Sequence, residues 1–108
     1  MPKYLLLAMN GPTDGEGDEE AYNKWYEDEH LPDFREMDEV ISARRFKTLR
    51  GKIPGMDDPW PYVTAYEIET DDFAGFSKKL GEKMQTFAPT LDRSCSGNLM
   101  TIQISGDE

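Results

Sequence analysis

The run Asn23-Lys24-Trp25-Tyr26-Glu27-Asp28-Glu29-His30-Leu31-Pro32-Asp33-Phe34 carries the single histidine of this 108-residue chain. Imidazole is the one side chain whose unperturbed pKa lies near neutral pH. Any imidazole acid–base chemistry must therefore centre on His30. The residue can act as general base, general acid or hydrogen-bond donor to a substrate oxygen. It can equally bond a backbone carbonyl and hold a bend in the chain. Pro32 lacks an N–H and crowds the carbonyl four residues back, so a helix through this run is expected to end near His30. There the helix dipole and the acids Glu27, Asp28, Glu29 and Asp33 favour imidazolium, while burial opposes it. A histidine at such an end reads as partly exposed.

The neighbouring side chains divide between chemistry and packing. Trp25 at helical spacing reads first as core. Tyr26 carries a phenol that needs a partner when buried, which makes it the better polar pocket contact. Asp33 either orients His30 or is solvated. Arg44 and Arg45 point to opposite faces of a strand, so one of them faces helices or a barrel interior. A buried guanidinium needs an acid or an anionic ligand, and parity does not choose between the two. Tyr66, with Tyr4 and Tyr62, lines one sheet face if the strand registers agree; core packing is the alternative.

Composition narrows the function classes. Charged residues make up 31% of the chain and the net charge is −10, which repels nucleic-acid phosphates and anionic membranes. No apolar run approaches the roughly 20 residues needed to span a bilayer. One cysteine, Cys95, allows no internal disulfide, and no Cys/His cluster has zinc spacing. The stretch Gly11-Pro12-Thr13-Asp14-Gly15-Glu16-Gly17 is acidic and does not fit a phosphate loop. No metal and no cofactor is expected, although a single axial His could hold haem. The expectation is one soluble cytoplasmic domain over residues 1–108.

The elements that must position these residues read as strand, helix, strand, strand, helix, strand. Lys3 to Asn10 is a short apolar strand. The first helix starts near Asp18, with a short turn from Asp33 to Met37 after the proline. Glu39 to Leu49 and Pro61 to Glu69 are strands joined by a long Pro/Gly-rich loop. Asp71 is the expected cap of the second helix, whose stripe is Phe73, Phe76, Leu80, Met84 and Phe87. Asn98 to Ser105 is the last strand. This βαββαβ order predicts an α+β, ferredoxin-like fold, a four-stranded antiparallel sheet with both helices on one face. The strands are apolar on both sides: Leu5, Leu7 and Met9 face one way, Tyr4, Leu6 and Ala8 the other. Two helices cover one face, so the other needs a second copy of the sheet, which makes a homodimer.

The motif Trp25-Tyr26-x-x-x-His30-Leu31-Pro32, followed by Val40-Ile41-Ser42-Ala43-Arg44-Arg45-Phe46, resembles the EthD-type branch of the dimeric α/β-barrel superfamily. One departure is Arg35-Glu36-Met37-Asp38-Glu39, where such proteins commonly carry a proline-glycine turn. The resemblance implies two sheets packed face to face and a small-molecule pocket in each subunit. Relatives include cofactor-independent monooxygenases, lactone isomerases, polyketide cyclases and haem-degrading enzymes. It implies a cofactor-independent enzyme acting on a small, largely apolar, oxygen-bearing molecule, aromatic or polyketide-like, in a pocket bordered by His30. The alternative is a non-catalytic binding or accessory protein using the same pocket.

Overall fold

Four strands and three α-helical pieces make up the computed structural model, which describes residues 2–10, 16–55, 60–84 and 97–106. Strand β1 (Lys3–Asn10) leads to helix α1 (Glu16–Trp25), a π-helical segment (Tyr26–His30) and helix α2 (Leu31–Arg35). Strands β2 (Val40–Lys47) and β3 (Tyr62–Glu69), helix α3 (Phe73–Met84) and strand β4 (Gly97–Ile102) follow. The sheet order is β2-β3-β1-β4, and every neighbouring pair is antiparallel. This is the ferredoxin-like arrangement expected from the element order.

The strand registers sort the side chains into two faces. Leu6 lies opposite Tyr66 and Met100, and Tyr66 lies opposite Ala43. With Tyr62 and Ile68 they meet Tyr26, Leu31, Phe34, Phe76 and Leu80 from the helical layer in one core. Tyr4 stacks on Phe73 with ring centroids 4.5 Å apart, which anchors the start of α3 to β1. Lys79 donates to Glu39 at 2.8 Å and ties α3 to the chain entering β2. Arg35 donates to the Ala43 carbonyl at 3.0 Å and ties α2 to β2.

The opposite face carries Leu5, Leu7, Met9, Val63, Ala65, Phe46 and Leu99. Phe46 and Leu99 are each more than half exposed. No described element covers this face. At its Lys3 end lies a groove of about 630 Å³ whose walls include Leu5, Ile41, Glu67 and Thr101.

Several boundaries differ from the expectation, each for a local reason. The helix begins at Glu16, two residues before Asp18. The cap of α3 is Asp72, not Asp71: its Oδ1 accepts the Gly75 N–H at 3.0 Å, and Thr70 Oγ1 accepts the Asp72 N–H. A bulge between Val40 and Ser42 inserts one residue into β2. It returns Val40 to the core face, whereas strict alternation would place it with Ser42 and Arg44. Strand β4 stops at Ile102, short of the expected Ser105. Phe87 and Cys95 lie outside the described residues.

Candidate functional site

The chain does not break at Pro32. It turns wider instead. The Leu31 N–H bonds the Tyr26 carbonyl, five residues back, and α2 then continues through Pro32 to Arg35. A proline deprives the helix of one donor, and a π turn absorbs the mismatch. The wider turn also redirects side chains. In a straight α-helix, residues five apart lie about 140° apart around the axis. Across the π turn the Trp25 and His30 rings instead stack, with centroids 4.4 Å apart and planes at 25°. Tyr26 meets the imidazole edge-on at 4.7 Å and Phe34 at 4.9 Å. Phe34 in turn stacks on Tyr66 at 4.3 Å. His30 thus joins the helix to the floor of the sheet through a chain of rings.

His30 is buried, with 5% of its surface exposed. This corrects the reading of a partly exposed helix-end residue. Burial, then the charges of Arg45 and Lys83, push its pKa down from 6.5 to about 4. The dipole argument fails because the helix does not end at His30. The acids Glu27, Asp28 and Glu29 are exposed, so water screens them. At neutral pH the imidazole is uncharged, with one nitrogen a donor and the other an acceptor.

Arg45 is the arginine on the helix-covered face. Its guanidinium lies 4.6 Å from the Tyr26 ring centroid and 5.3 Å from that of Tyr62. It donates to Glu27 at 3.1 Å and to Asn23 at 2.7 Å. Asn23 donates onward to the Tyr62 hydroxyl at 3.4 Å. Arg44 lies on the opposite face, 3.9 Å from Glu67 and away from His30. Asp33 is exposed on α2, whereas His30 is buried. The structure therefore gathers His30, Trp25, Tyr26, Tyr66 and Arg45, and leaves Arg44 and Asp33 outside. None of the walls of the open-face groove belongs to this cluster.

Asn23, Phe34 and Lys83 complete the surroundings and were not singled out from the sequence; Glu27, read there only as an acid near His30, is the partner of Arg45. Asn23 and Glu27 are four residues apart on one helical turn, which suits two ligands of one guanidinium. Phe34 follows His30 at the same spacing. Lys83 reaches His30 only through tertiary packing, so nothing local marks it. Among the described residues, no three His, Cys, Asp or Glu side chains gather as a metal site. No helix among them is long and apolar enough to cross a membrane.

Comparison with solved structures finds the same architecture. An ethyl tert-butyl ether D (EthD) family protein from Bacillus halodurans C-125 superposes with a TM-score of 0.58 at 15% identity, covering 100% of this chain and 99% of that one. An EthD-like protein from Ralstonia eutropha JMP134 gives 0.58 at 15% identity, over 95% and 91% of the two chains. The ActVA-Orf6 monooxygenase of Streptomyces coelicolor, in complex with nanaomycin D, gives 0.52 at 11% identity, over 99% and 91%. No protein-family model and no curated protein sequence matches the chain. At these identities the likeness shows the fold: the chain is built as EthD proteins and this monooxygenase are. The resemblance drawn from the Trp25–Pro32 motif holds at that level.

Proposed function

We propose that the helix-covered face of the sheet holds a small-molecule site bordered by His30. Its ligand is a largely apolar, oxygen-bearing molecule, aromatic or polyketide-like, on which the protein acts without a cofactor. The observation that carries this reading is a buried, neutral imidazole inside an aromatic cage, its pKa lowered by burial first and by Arg45 and Lys83 second. Those two cations disfavour a positive charge at His30 and favour a negative one on a neighbouring oxygen. Burial, the larger effect, opposes any charge there, and the two cations offset part of that cost for a phenol or enol oxygen. The neutral imidazole can accept the hydroxyl proton's hydrogen bond as that charge develops. Trp25, Tyr26 and Tyr66 supply flat apolar surface for such a ligand. A monooxygenase of the same fold, bound to nanaomycin D, supports this ligand class.

One observation favours a second reading, a binding or accessory protein without turnover. An imidazole of pKa about 4 is a weak base at neutral pH. It orients a ligand oxygen more effectively than it removes a proton. Arg44 and Asp33, on the opposite face and the exposed side of α2, have no part in either reading.

The protein is proposed to be a cytoplasmic homodimer joined through the open sheet face. The support is a run of exposed apolar residues on a face that no described element covers.

Native mass spectrometry of the purified protein, with extraction of any copurified molecule, tests the reading. An aromatic oxygen compound that rebinds and is converted supports the enzyme. One that rebinds unchanged, and activates no turnover in air, supports the binder. His30→Gln should retain part of the binding through its amide and lose turnover, because an amide does not carry a proton near pH 7. Unchanged binding and turnover in that variant would remove His30 from the site.

A further inference from the structure

Trp60 precedes β3 and lies across one end of the open sheet face. Its six-membered ring sits over Gly97 of β4, where an added Cβ would be 3.0 Å from Cζ2 of the indole and 3.6 Å from the Met9 methyl. Gly97 and Met9 are ladder partners on that face. Glycine at 97 is what leaves room for the ring. The indole is half-buried, so part of it stays in water. The backbone beside it is fixed: the Pro61 carbonyl accepts the Thr48 N–H at 2.8 Å.

The other end of the same face holds the groove of about 630 Å³, walled in part by Leu5, Ile41, Glu67 and Thr101. One face therefore carries an aromatic ring at one end and a hollow at the other. Within a chain the two do not meet, since Met9 and Leu5 are four residues apart on β1, about 13 Å in an extended strand. A two-fold axis running across the strands near Leu7, midway between them, lays the Trp60 end of each copy on the groove end of the other. Charge also suits a second copy. The chain carries a net −10, which opposes self-association. On the open face, however, Lys3 and Arg44 balance Glu67 and Glu69.

We propose that the open face pairs with a second copy of the chain in this orientation, with Trp60 of each copy seated in the groove of the other. This rests on the sheet-to-sheet dimer proposed above and gives it an anchor and a direction. Leu5 and Ile41 supply apolar wall for the indole, and the exposed Glu67 carboxylate can accept its N–H. Tryptophan is among the residues that most often carry the binding energy of an interface. A ring already held against Gly97 and Met9 loses little freedom on docking.

Dilution of the full chain, followed by sedimentation and by tryptophan emission, tests this. The chain has two tryptophans, and Trp25 packs on the helix-covered side, so only Trp60 should respond. Emission should move to longer wavelength as the parent dimer dissociates and Trp60 meets water. Trp60→Phe should lose that shift and weaken the dimer about tenfold or more. Leu5→Ala changes the groove at the far end of its own chain. It should weaken the dimer and also reduce the shift, measured at concentrations where the variant is dimeric. A dimeric parent whose emission ignores dilution, or a Trp60→Phe chain whose dimer affinity stays within about twofold, would overturn the Trp60 contact and leave the sheet-to-sheet dimer standing. A shift untouched by Leu5→Ala would overturn the orientation. A parent that is monomeric at micromolar concentration refutes the dimer reading itself, and the contact falls with it.

Discussion

His30 should make this protein lose stability as the pH falls from neutral, by an amount that can be worked out. Its pKa is about 4 in the folded chain and near 6.5 when exposed on unfolding. The folded state therefore binds fewer protons than the unfolded state between these values. Stability is fully present above about pH 6.5 and is lost as the pH falls through 6.5 toward 4. Linkage gives about 2 kcal/mol lost between pH 7 and pH 5, and about 3 kcal/mol by pH 4. The carboxylates also titrate in this range, so the contribution of His30 is read as a difference. His30→Gln is the reference, since it fills much of the same space and does not titrate. His30→Ala is unsuitable: it would open a cavity against three aromatic rings and is expected to cost about 2 kcal/mol or more. Urea unfolding of parent and His30→Gln is run at pH 7 and pH 5 at one protein concentration. With a slope near ~1.5 kcal/mol/M, the parent's midpoint should fall by about 1.3 M more than the variant's. The lone imidazole signal by NMR should titrate with a midpoint near 4. A midpoint near 6.5, or equal pH dependence in the two proteins, would show that His30 is neither desolvated nor beside cations, and the proposed site would go with it.

Other measurements bear on separate parts of the structure. Arg45→Met removes one cation while keeping a long apolar stem; the His30 midpoint should rise, yet stay below 6.5 because burial is the larger cause, and NMR titration reads this directly. Light scattering should find the parent dimeric at micromolar concentration, and Leu99→Lys, on the open face, should convert it to a folded monomer; a monomeric parent would refute the sheet-to-sheet pairing. Asp72→Ala removes the α3 cap and should cost about 1 kcal/mol, a drop of several degrees in thermal midpoint, whereas Asp71→Ala should change little.

The sequence by itself determined the element order, the antiparallel sheet and the two apolar faces of its strands. These are local quantities: residue periods of two and near four, and turn residues between them, read directly as strands and helices. It also marked His30, Tyr26 and Trp25 as neighbours, because all three share one short run. Asp72 was missed by one position because two adjacent aspartates both suit a cap, and only the Gly75 N–H selects between them. Which arginine turns toward His30 was decided by pairing. Arg45 faces the helices because its strand position lies opposite Thr64 of β3, on the face that also carries Tyr66. The charge state of His30 was likewise out of reach. Reading along the chain, only its acidic neighbours are visible, and they favour imidazolium. Folding buries the ring, leaves those acids in water, and brings Arg45 and Lys83 from distant segments. Pro32 is the sharpest case. Its chemistry dictates that an ordinary helical turn fails there, but not whether the chain stops or widens. The ring contacts to Trp25, Phe34 and Tyr66 accompany the wider turn, and they exist only once the helix lies on the sheet.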